Sequence, residues 1–591
     1  MTRTRKAPLA LLFILSVLAV SLTSGAAANG SPSPISLSLD QVGRASDEGV
    51  EATAEISTYV VRNNRSYATD SENNEIDVFS WTNPESPVYL FSIPLSSYGV
   101  GPNSVTYTPA FGGAVAVAVE NGLSRGSVEL FSLAGRHIQT YQAGWLPDMV
   151  TTTRGGWILL VANEGEPQAE GSALALDPPG TVTVIDLLAA NGVPNRATVR
   201  EATFDGVTVD PLTRIFLPDS TVQQDLEPEY ITALGDTAWV SIQEANAIAV
   251  LDIPTATFSF VKSLGFKDHS IEGNGLDASD RDDPDGKSPW APTPNIRTHE
   301  RLFGMYQPDA IASFRLPGAD GLIGRAVRSA INSGRSQIYA AGRTAFLEAR
   351  GRGVSKSAAS FIRYQAEVAE RESIAREARS SVNTDFVVTA NEGDARDWPF
   401  YTEESRVGSL SLSDNFNPAA KTNLQLGRLN VTKTLGQIGP SYDSLYAFGA
   451  RSMSVLDRSG DMVADTGDQL EQLSLELDPA NFNKSNTAGS PVDDRSDNKG
   501  PEPEAVVTGY IGGKVYAFVA AERSGMIYAF DVSTDPEEPA FAGWTNTRET
   551  DLGPEGIVFI KASDSPTGSP AILVTYEISG TQTLYEIELL G

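Results

Sequence analysis

Pro554-Glu-Gly-Ile-Val-Phe-Ile560, followed by Ala571-Ile-Leu-Val-Thr-Tyr-Glu577, decides the fold of this chain. A Pro and an acid open one apolar strand, and a second strand ends in another acid. The phrase recurs as Pro147-Asp148 with Asn163-Glu164, Pro228-Glu229 with Gln243-Glu244, and Pro503-Glu504 with Ala521-Glu522. Pro308-Asp309 with Asn391-Glu392 is a copy stretched by an insertion, and Pro102 to Glu120-Asn121 is a weaker one. A unit recurring at a fixed spacing marks a repeat architecture.

A third strand completes each unit. It reads Ile76-Asp-Val-Phe79, Val128-Glu-Leu-Phe131, Val182-Thr-Val-Ile-Asp186, Ile248-Ala-Val-Leu-Asp252, Met453-Ser-Val-Leu-Asp457 and Ile527-Tyr-Ala-Phe-Asp531, and closes the chain over Thr583 to Leu590 with period-2 alternation. Openings at Pro102 and Pro147, or at Pro503 and Pro554, lie 45 and 51 residues apart. That suits one four-stranded blade each. The expectation is an all-β chain: a single β-propeller over residues 45–591, with seven blades, or eight if Val407 to Leu412 counts as a unit. Residues 165–226 and 254–306 read as Gly-, Pro- and Asp-rich loops. Residues 320–383 differ in kind, with little β-branching, helical spacing, and 11 Arg and Lys against six acids. They are predicted to be a helical insertion.

The 591 residues carry 75 acids against 44 bases, a net charge of -31. Nucleic acid is therefore excluded as a partner, because phosphate binding needs clustered Lys and Arg. There is no Cys, which excludes disulfides, Fe–S clusters, thiolate zinc and thiol catalysis. The three His have no metal-ligand spacing. A metal here would be held by oxygen, which points to calcium or magnesium. Residues 1–28 read as a signal peptide: Arg3, Arg5 and Lys6, an apolar run from Pro8 to Leu22, then Gly25-Ala-Ala-Ala28. The mature chain is expected to be exported, secreted or periplasmic, monomeric, and without a membrane span.

Consecutive strands of a blade run antiparallel, so the start of the first and the end of the second share one edge. The acids should then ring the mouth of the central channel: Asp148, Glu164, Glu229, Glu244, Asp309, Glu392, Glu504, Glu522, Glu555 and Glu577, with Asp394 close by. Like charges at close range repel, and buried carboxylates resist ionising. Arg396, Arg451, Arg523 and Lys267 lie in matching segments as candidate counter-charges, and bound Ca²⁺ would neutralise the rest. In the plainer reading these acids cap turns by accepting backbone N–H bonds. Two acidic loops, Asp277-Ala-Ser-Asp280-Arg-Asp282 and Asp493 to Glu504, are further calcium candidates, although neither has EF-hand spacing. No Walker loop, nucleophile elbow, zincin motif or Rossmann fingerprint occurs. Asp268-His269-Ser270 holds triad residue types without triad geometry.

Longer phrases carry a resemblance: Leu159-Leu-Val-Ala-Asn-Glu-Gly-Glu-Pro167, Gly273 to Asp280, Met305-Tyr-Gln-Pro-Asp-Ala-Ile-Ala312, Thr389-Ala-Asn-Glu-Gly-Asp-Ala-Arg396, Ala447-Phe-Gly-Ala-Arg-Ser452, Ser496-Asp-Asn-Lys-Gly-Pro-Glu-Pro-Glu504 and Leu552 to Ile557. Together they resemble the choice-of-anchor I proteins over residues 45 to 590. The resemblance implies a YVTN/WD40-like propeller, an exported or surface location, and a link to calcium or biomineral. Bacterial relatives often carry an alkaline phosphatase label. The helical insertion departs from that pattern. So does the end of the chain, which shows no sorting tail; free secretion or periplasmic residence is then expected over surface attachment.

Two functions fit. One is a calcium-binding module or scaffold, with mineral, glycan or protein as partner. The other is a calcium-dependent phosphoesterase acting on a phosphate ester, with Arg396, Arg451 and Arg523 gripping phosphoryl oxygens. The first is favoured, because catalytic motifs are missing while cation-binding features are plentiful.

Overall fold

A computed structural model describes residues 36–46, 50–217, 220–281, 293–380 and 384–590. The predicted signal peptide lies outside the described residues, as does Asp282. Seven four-stranded antiparallel sheets form the body. Blade 1 is Ser57–Val60, Arg65–Asp70, Glu75–Ser80 and Val88–Pro94. Blade 2 is Gly101–Thr108, Ala114–Glu120, Arg125–Ser132 and His137–Trp145. Blade 3 is Pro147–Thr153, Ile158–Asn163, Thr181–Asp186 and Thr198–Thr203, and blade 4 is Ile231–Leu234, Thr237–Ile242, Ala247–Asp252 and Thr257–Ser263. Blade 5 is Ile311–Arg315, Asp385–Asn391, Ser452–Asp457 and Met462–Asp465. Blade 6 is Pro503–Ile511, Lys514–Ala521, Met526–Asp531 and Ala540–Asn546. Blade 7 takes Pro554–Ile560, Ala571–Tyr576 and Thr581–Leu589 from the C-terminal end, and its fourth strand, Leu37–Ala45, from the N-terminal end.

The first strands touch one another in blade order, and Pro554–Ile560 returns to Ser57–Val60 to close the ring. The core is correspondingly divided. Middle strands such as Ala-Val-Ala-Val-Ala-Val at 114–119 are apolar on both faces, because each blade is covered by a neighbour on either side. A separate buried cluster fills each interface, from Val78 with Val117 between blades 1 and 2 round to Trp81 with Leu573 between blades 7 and 1. Radial repetition leaves only short strand edges at the blades' outer strands, which limits the surface that invites aggregation.

The count is seven. Val407–Ser409, reckoned above with a possible eighth unit, is a 3-10 turn, and Leu412 makes only an isolated bridge to Tyr442. Both adjoin, without joining, an inserted five-stranded sheet of Phe266–Asp268, Leu302–Met305, Leu445–Ala447, Asn430–Thr432 and Glu404–Arg406. That sheet has its own core around Leu302, Leu429, Val431 and Leu445. Three helices, Ala319–Ser333, Arg335–Gly351 and Lys356–Ser380, pack on one another between the first two strands of blade 5. Among the described residues no helix is long and apolar enough to cross a membrane.

Candidate cation site at the channel mouth

The repeated Pro-acid phrase is a β-bulge. In blade 3 Pro147 lies opposite Asn163, and the register then skips to Met149 opposite Ala162, so Asp148 has no partner in the ladder. Glu504 and Glu555 are extra in the same way, between Pro503 and Ala505 and between Pro554 and Gly556. Pro tolerates the first position of a strand because its missing N–H is not needed there. The bulge after it bends the strand and re-aims the acid. Glu164, Glu522 and Glu577 each follow the residue opposite the Pro, and so leave the partner strand at the same edge. In blades 4 and 5, Glu229 and Asp309 stand two residues ahead of the inner strand, and their N–H groups donate to Ser241 O at 3.2 Å and Ala390 O at 3.1 Å.

This construction gathers the acids at one end of the channel. Glu164, Glu229 and Glu244 offer ligand oxygens all within 4.8 Å of one another, as do Asp309, Glu392 and Glu504, and Glu392, Glu502 and Glu522. Their electrostatics follow from the crowding. Burial first, then Glu166, Glu244 and Glu120, push the Asp148 carboxyl up to about 7. Burial first, then Glu502, push Glu522 up to about 8. Burial holds Glu164, Glu229, Asp309, Glu504 and Glu555 well above the usual carboxylate range, and neighbouring acids add to it. Glu55 of blade 1 is driven to about 7 by burial, against a 2.6 Å hydrogen bond donated by Ser71. The Oε2 atoms of Glu229, Glu244 and Glu504 are buried without a hydrogen-bond partner. A carboxylate capping a turn would accept N–H bonds there. Unpaired buried oxygens cost free energy unless a proton or a cation meets them.

The counter-charges differ from those expected. Arg523 is at the mouth, 3.0 Å from Glu502 Oε2 and 2.8 Å from Glu522 Oε1. Arg396 is fully buried beneath it, 3.0 Å from both Asp225 and Glu227. Arg451 is buried too. It donates to Glu471 at 2.7 Å and to the carbonyls of Asp277, Ser496 and Asn498. Lys267 faces Asp465 at 3.1 Å and the carbonyl of Ala450. These three cations lock inserted loops to blades, and among the described residues none pairs with the ten ring acids. The mouth's ammonium is Lys499, ion-paired with Glu392, 3.6 Å from Asp394 and 3.9 Å from Glu502. Glu227 was missed and Glu502 was read only as part of the second acidic loop, although Glu227-Pro-Glu229 and Glu502-Pro-Glu504 are one repeated triplet that would have added both to the ring.

Most acids of the two acidic loops are spent on structure, while Glu502 and Glu504, which end the second, join the groups at the mouth. Asp277 accepts from Ser279 N at 3.2 Å and from the backbone of Asn295. Asp280 and Asp497 share Arg428 at 2.7 and 2.6 Å. Asp277, Asp280 and Asp497 do not gather into a ligand set among the described residues. His269 is buried, with Nδ1 2.6 Å from Asn274 O, while Asp268 accepts from Ser270, so the three form no triad. A further group, Asp70, Glu75 and Asp77, lies in blade 1.

The chain is similar to several known proteins. Gigasin-3a of Magallana gigas is 31% identical over 192 residues, covering 29% of this chain and 67% of that protein. Hydrazine synthase of Kuenenia stuttgartiensis, 10% identical, aligns over 92% of this chain and 97% of its own with a TM-score of 0.41. The Cps50 (Swd1) β-propeller domain of Myceliophteria thermophila, 6% identical, aligns over 93% and 99% with a TM-score of 0.39. The choice-of-anchor I domain matches residues 55–324 and 377–535, and the interval it skips falls within the three helices. The chain belongs to the choice-of-anchor I family.

Proposed function

We propose that this chain is an exported binding module whose acid-lined channel mouth takes up calcium, and which acts as a scaffold at or beyond the cell surface. The observation that carries the reading is the trio Glu164, Glu229 and Glu244. Their oxygens converge within 4.8 Å, two of those side chains keep a buried oxygen with no partner, and no Lys or Arg ion pair reaches them among the described residues. An all-oxygen donor set without His or Cys suits a hard cation. Calcium accepts six to eight oxygens in flexible geometry, so three carboxylates leave room for water, a backbone carbonyl or a partner's ligand.

The phosphoesterase reading lacks the same support. Of its three arginines, Arg396 and Arg451 are buried and committed, and Arg523 is held by two carboxylates.

The test is thermal unfolding of the purified mature chain in chelator and then in excess calcium. Calcium stabilises by mass action if it binds the folded state. A rise in Tm with calcium that Glu229→Gln and Glu244→Gln both abolish is expected; an unchanged Tm would sink the proposal. Phosphomonoester and diester turnover in the same samples, if abolished by chelator, would replace the scaffold with an enzyme.

A further inference from the structure

The mouth holds more acidic positions than the trio just described. Asp309, Glu392 and Glu504 form a second group, and Glu392, Glu502 and Glu522 a third that shares Glu392. The two halves of the mouth differ in one respect. Around Glu392 a cation is already present, because Lys499 Nζ pairs with Glu392 Oε1 and lies 3.6 Å from Asp394 Oδ1 and 3.9 Å from Glu502 Oε2. Around Glu164, Glu229 and Glu244 there is none among the described residues.

We propose that the mouth is a two-position cation site in which the Lys499 ammonium permanently fills the Glu392 position, leaving Glu164, Glu229 and Glu244 to take a single divalent ion.

Three observations carry this. First, the open position is built for a ligand. Glu229 and Glu244 are more than nine-tenths buried, and the Oε2 atom of each faces no hydrogen-bond donor among the described residues beyond the other's carboxyl. Both oxygens of Glu392 are spoken for, Oε1 by Lys499 and Oε2 by Gln243 Nε2 at 3.0 Å, so of its group only Glu504 keeps a buried oxygen without a hydrogen-bond donor among the described residues. Second, Lys499 is clamped. Arg451 Nη2 holds the carbonyls of Ser496 and Asn498, on the residues leading to Lys499, at 2.8 and 2.9 Å. A Cβ on the following Gly500 would meet Arg451 Cδ at 2.9 Å, so the guanidinium lies flush against this turn. Arg451, a candidate phosphate ligand by sequence, is by this geometry a positioning residue for the built-in cation. Third, the two positions adjoin: Gln243 bonds Glu392 while the next residue, Glu244, belongs to the trio.

Lys499 stays charged there. Burial alone would favour the neutral amine, but Glu392, Asp394 and Glu502 more than offset it and hold the ammonium well above its ordinary range. A tethered ammonium also competes with a divalent ion at high effective concentration, since it cannot diffuse away.

The inference rests on the calcium reading above, and the experiment separates the two. Calcium alone is titrated calorimetrically into the full mature chain. The wild type is expected to bind one ion, Lys499→Met two, and Lys499→Arg one. Glu244→Gln with Lys499 intact is expected to bind none, and this variant keeps the question answerable if Lys499→Met does not fold. One ion bound by Glu244→Gln, or two by the wild type, would overturn the role of Lys499 while leaving calcium binding in place. No ion bound by either the wild type or Lys499→Met would overturn calcium binding itself.

Discussion

Gly449 is packed against the carbonyl of Glu392 so closely that a Cβ on it would lie 1.9 Å from that oxygen. Its φ of +72° is also one that L side chains rarely adopt. Gly393, at φ +93°, faces Gly449 from the opposing segment with equally little room. Two phrases of the sequence, Asn391-Glu-Gly393 and Phe448-Gly-Ala-Arg451, thus meet backbone to backbone and fix where Glu392 leaves its strand. Gly449→Ala is expected to cost at least about 2 kcal/mol in urea unfolding and to shrink the calcium-induced rise in Tm. Gly235→Ala is the control, because Gly235 has φ +66° and nothing within 4 Å of where a Cβ would sit. It should cost about 1 kcal/mol from backbone strain alone and leave the calcium response intact.

Arg396 is the buried keystone of a different set of contacts. It meets Asp225 and Glu227 at 3.0 Å, its backbone N–H donates to Glu403 at 3.1 Å, and its guanidinium carbon lies 4.9 Å from the Phe216 ring centroid. Removing one partner of a buried ion pair leaves the other charge without compensation. Arg396→Met is therefore expected to lose about 3–5 kcal/mol in chemical denaturation. Arg396→Lys keeps the charge without the planar fork and should recover only part of it. A loss below about 1 kcal/mol would show that this buried ion pair does not hold the folded chain together.

Much of this was legible because the repeat is chemical as well as structural. Pro can stand only at certain ladder positions, so Pro147, Pro503 and Pro554 announced strand starts, and the acids beside them announced a shared edge. The bulge that turns Asp148, Glu504 and Glu555 toward the axis was not legible, since one skipped residue looks the same as loop in a period-2 pattern. Nor were the partners of Arg396: Glu227 is 169 residues away and approaches only when blade 5 closes against blade 4. Lys499 was concealed within a stretch read as an acidic loop. The closing strand Leu37–Ala45 does alternate, as Leu-Ser-Leu-Asp, yet its pairing with Thr581–Leu589 joins opposite ends of the chain and has no local signature.

The acid ring makes stability depend on pH in a direction that can be worked out. Folding raises Asp148 from 3.8 to about 7, and Glu55 and Glu522 from 4.5 to about 7 and about 8. The folded chain therefore holds protons that the unfolded chain has released. That stability is present below the unfolded values and is lost as pH rises through about 7 and about 8. His269 and His299 act the opposite way. Burial depresses both, so their contribution is lost only as pH falls below the ordinary 6.5. Between 6.5 and about 8 the carboxyl effect acts alone. Calorimetric Tm in chelator should fall across that window, and calcium should raise Tm more at its alkaline end, where no proton competes for the oxygens. A chelated Tm that climbed with pH there would contradict the crowding of the mouth.

Closure of the ring depends on a strand from the far end of the sequence. Leu37 pairs opposite Leu589 and Ala45 opposite Gln582, with a register shift between Gln41 and Gly43. Leu37 and Leu39 are buried in the interface between blades 6 and 7, and Arg44 Nε reaches the buried Asp551 at 2.6 Å. Ser36 N–H adds a bond to Ala542 O of blade 6 at 2.8 Å. Leu39→Ala removes buried methyl groups that the surrounding strands cannot fully collapse upon, at a cost of about 2–4 kcal/mol. Deleting residues 36–45 goes further, because it bares the ladder edge of Thr581–Leu589, a template for pairing with another chain. The deleted chain is expected to unfold at lower temperature and to elute as aggregate in size-exclusion chromatography, whereas Leu39→Ala stays monomeric with a lowered Tm. If both eluted and melted as the wild type does, the seventh blade would be stable on three strands and the N-terminal strand would be an ornament on a ring already closed by its inner strands.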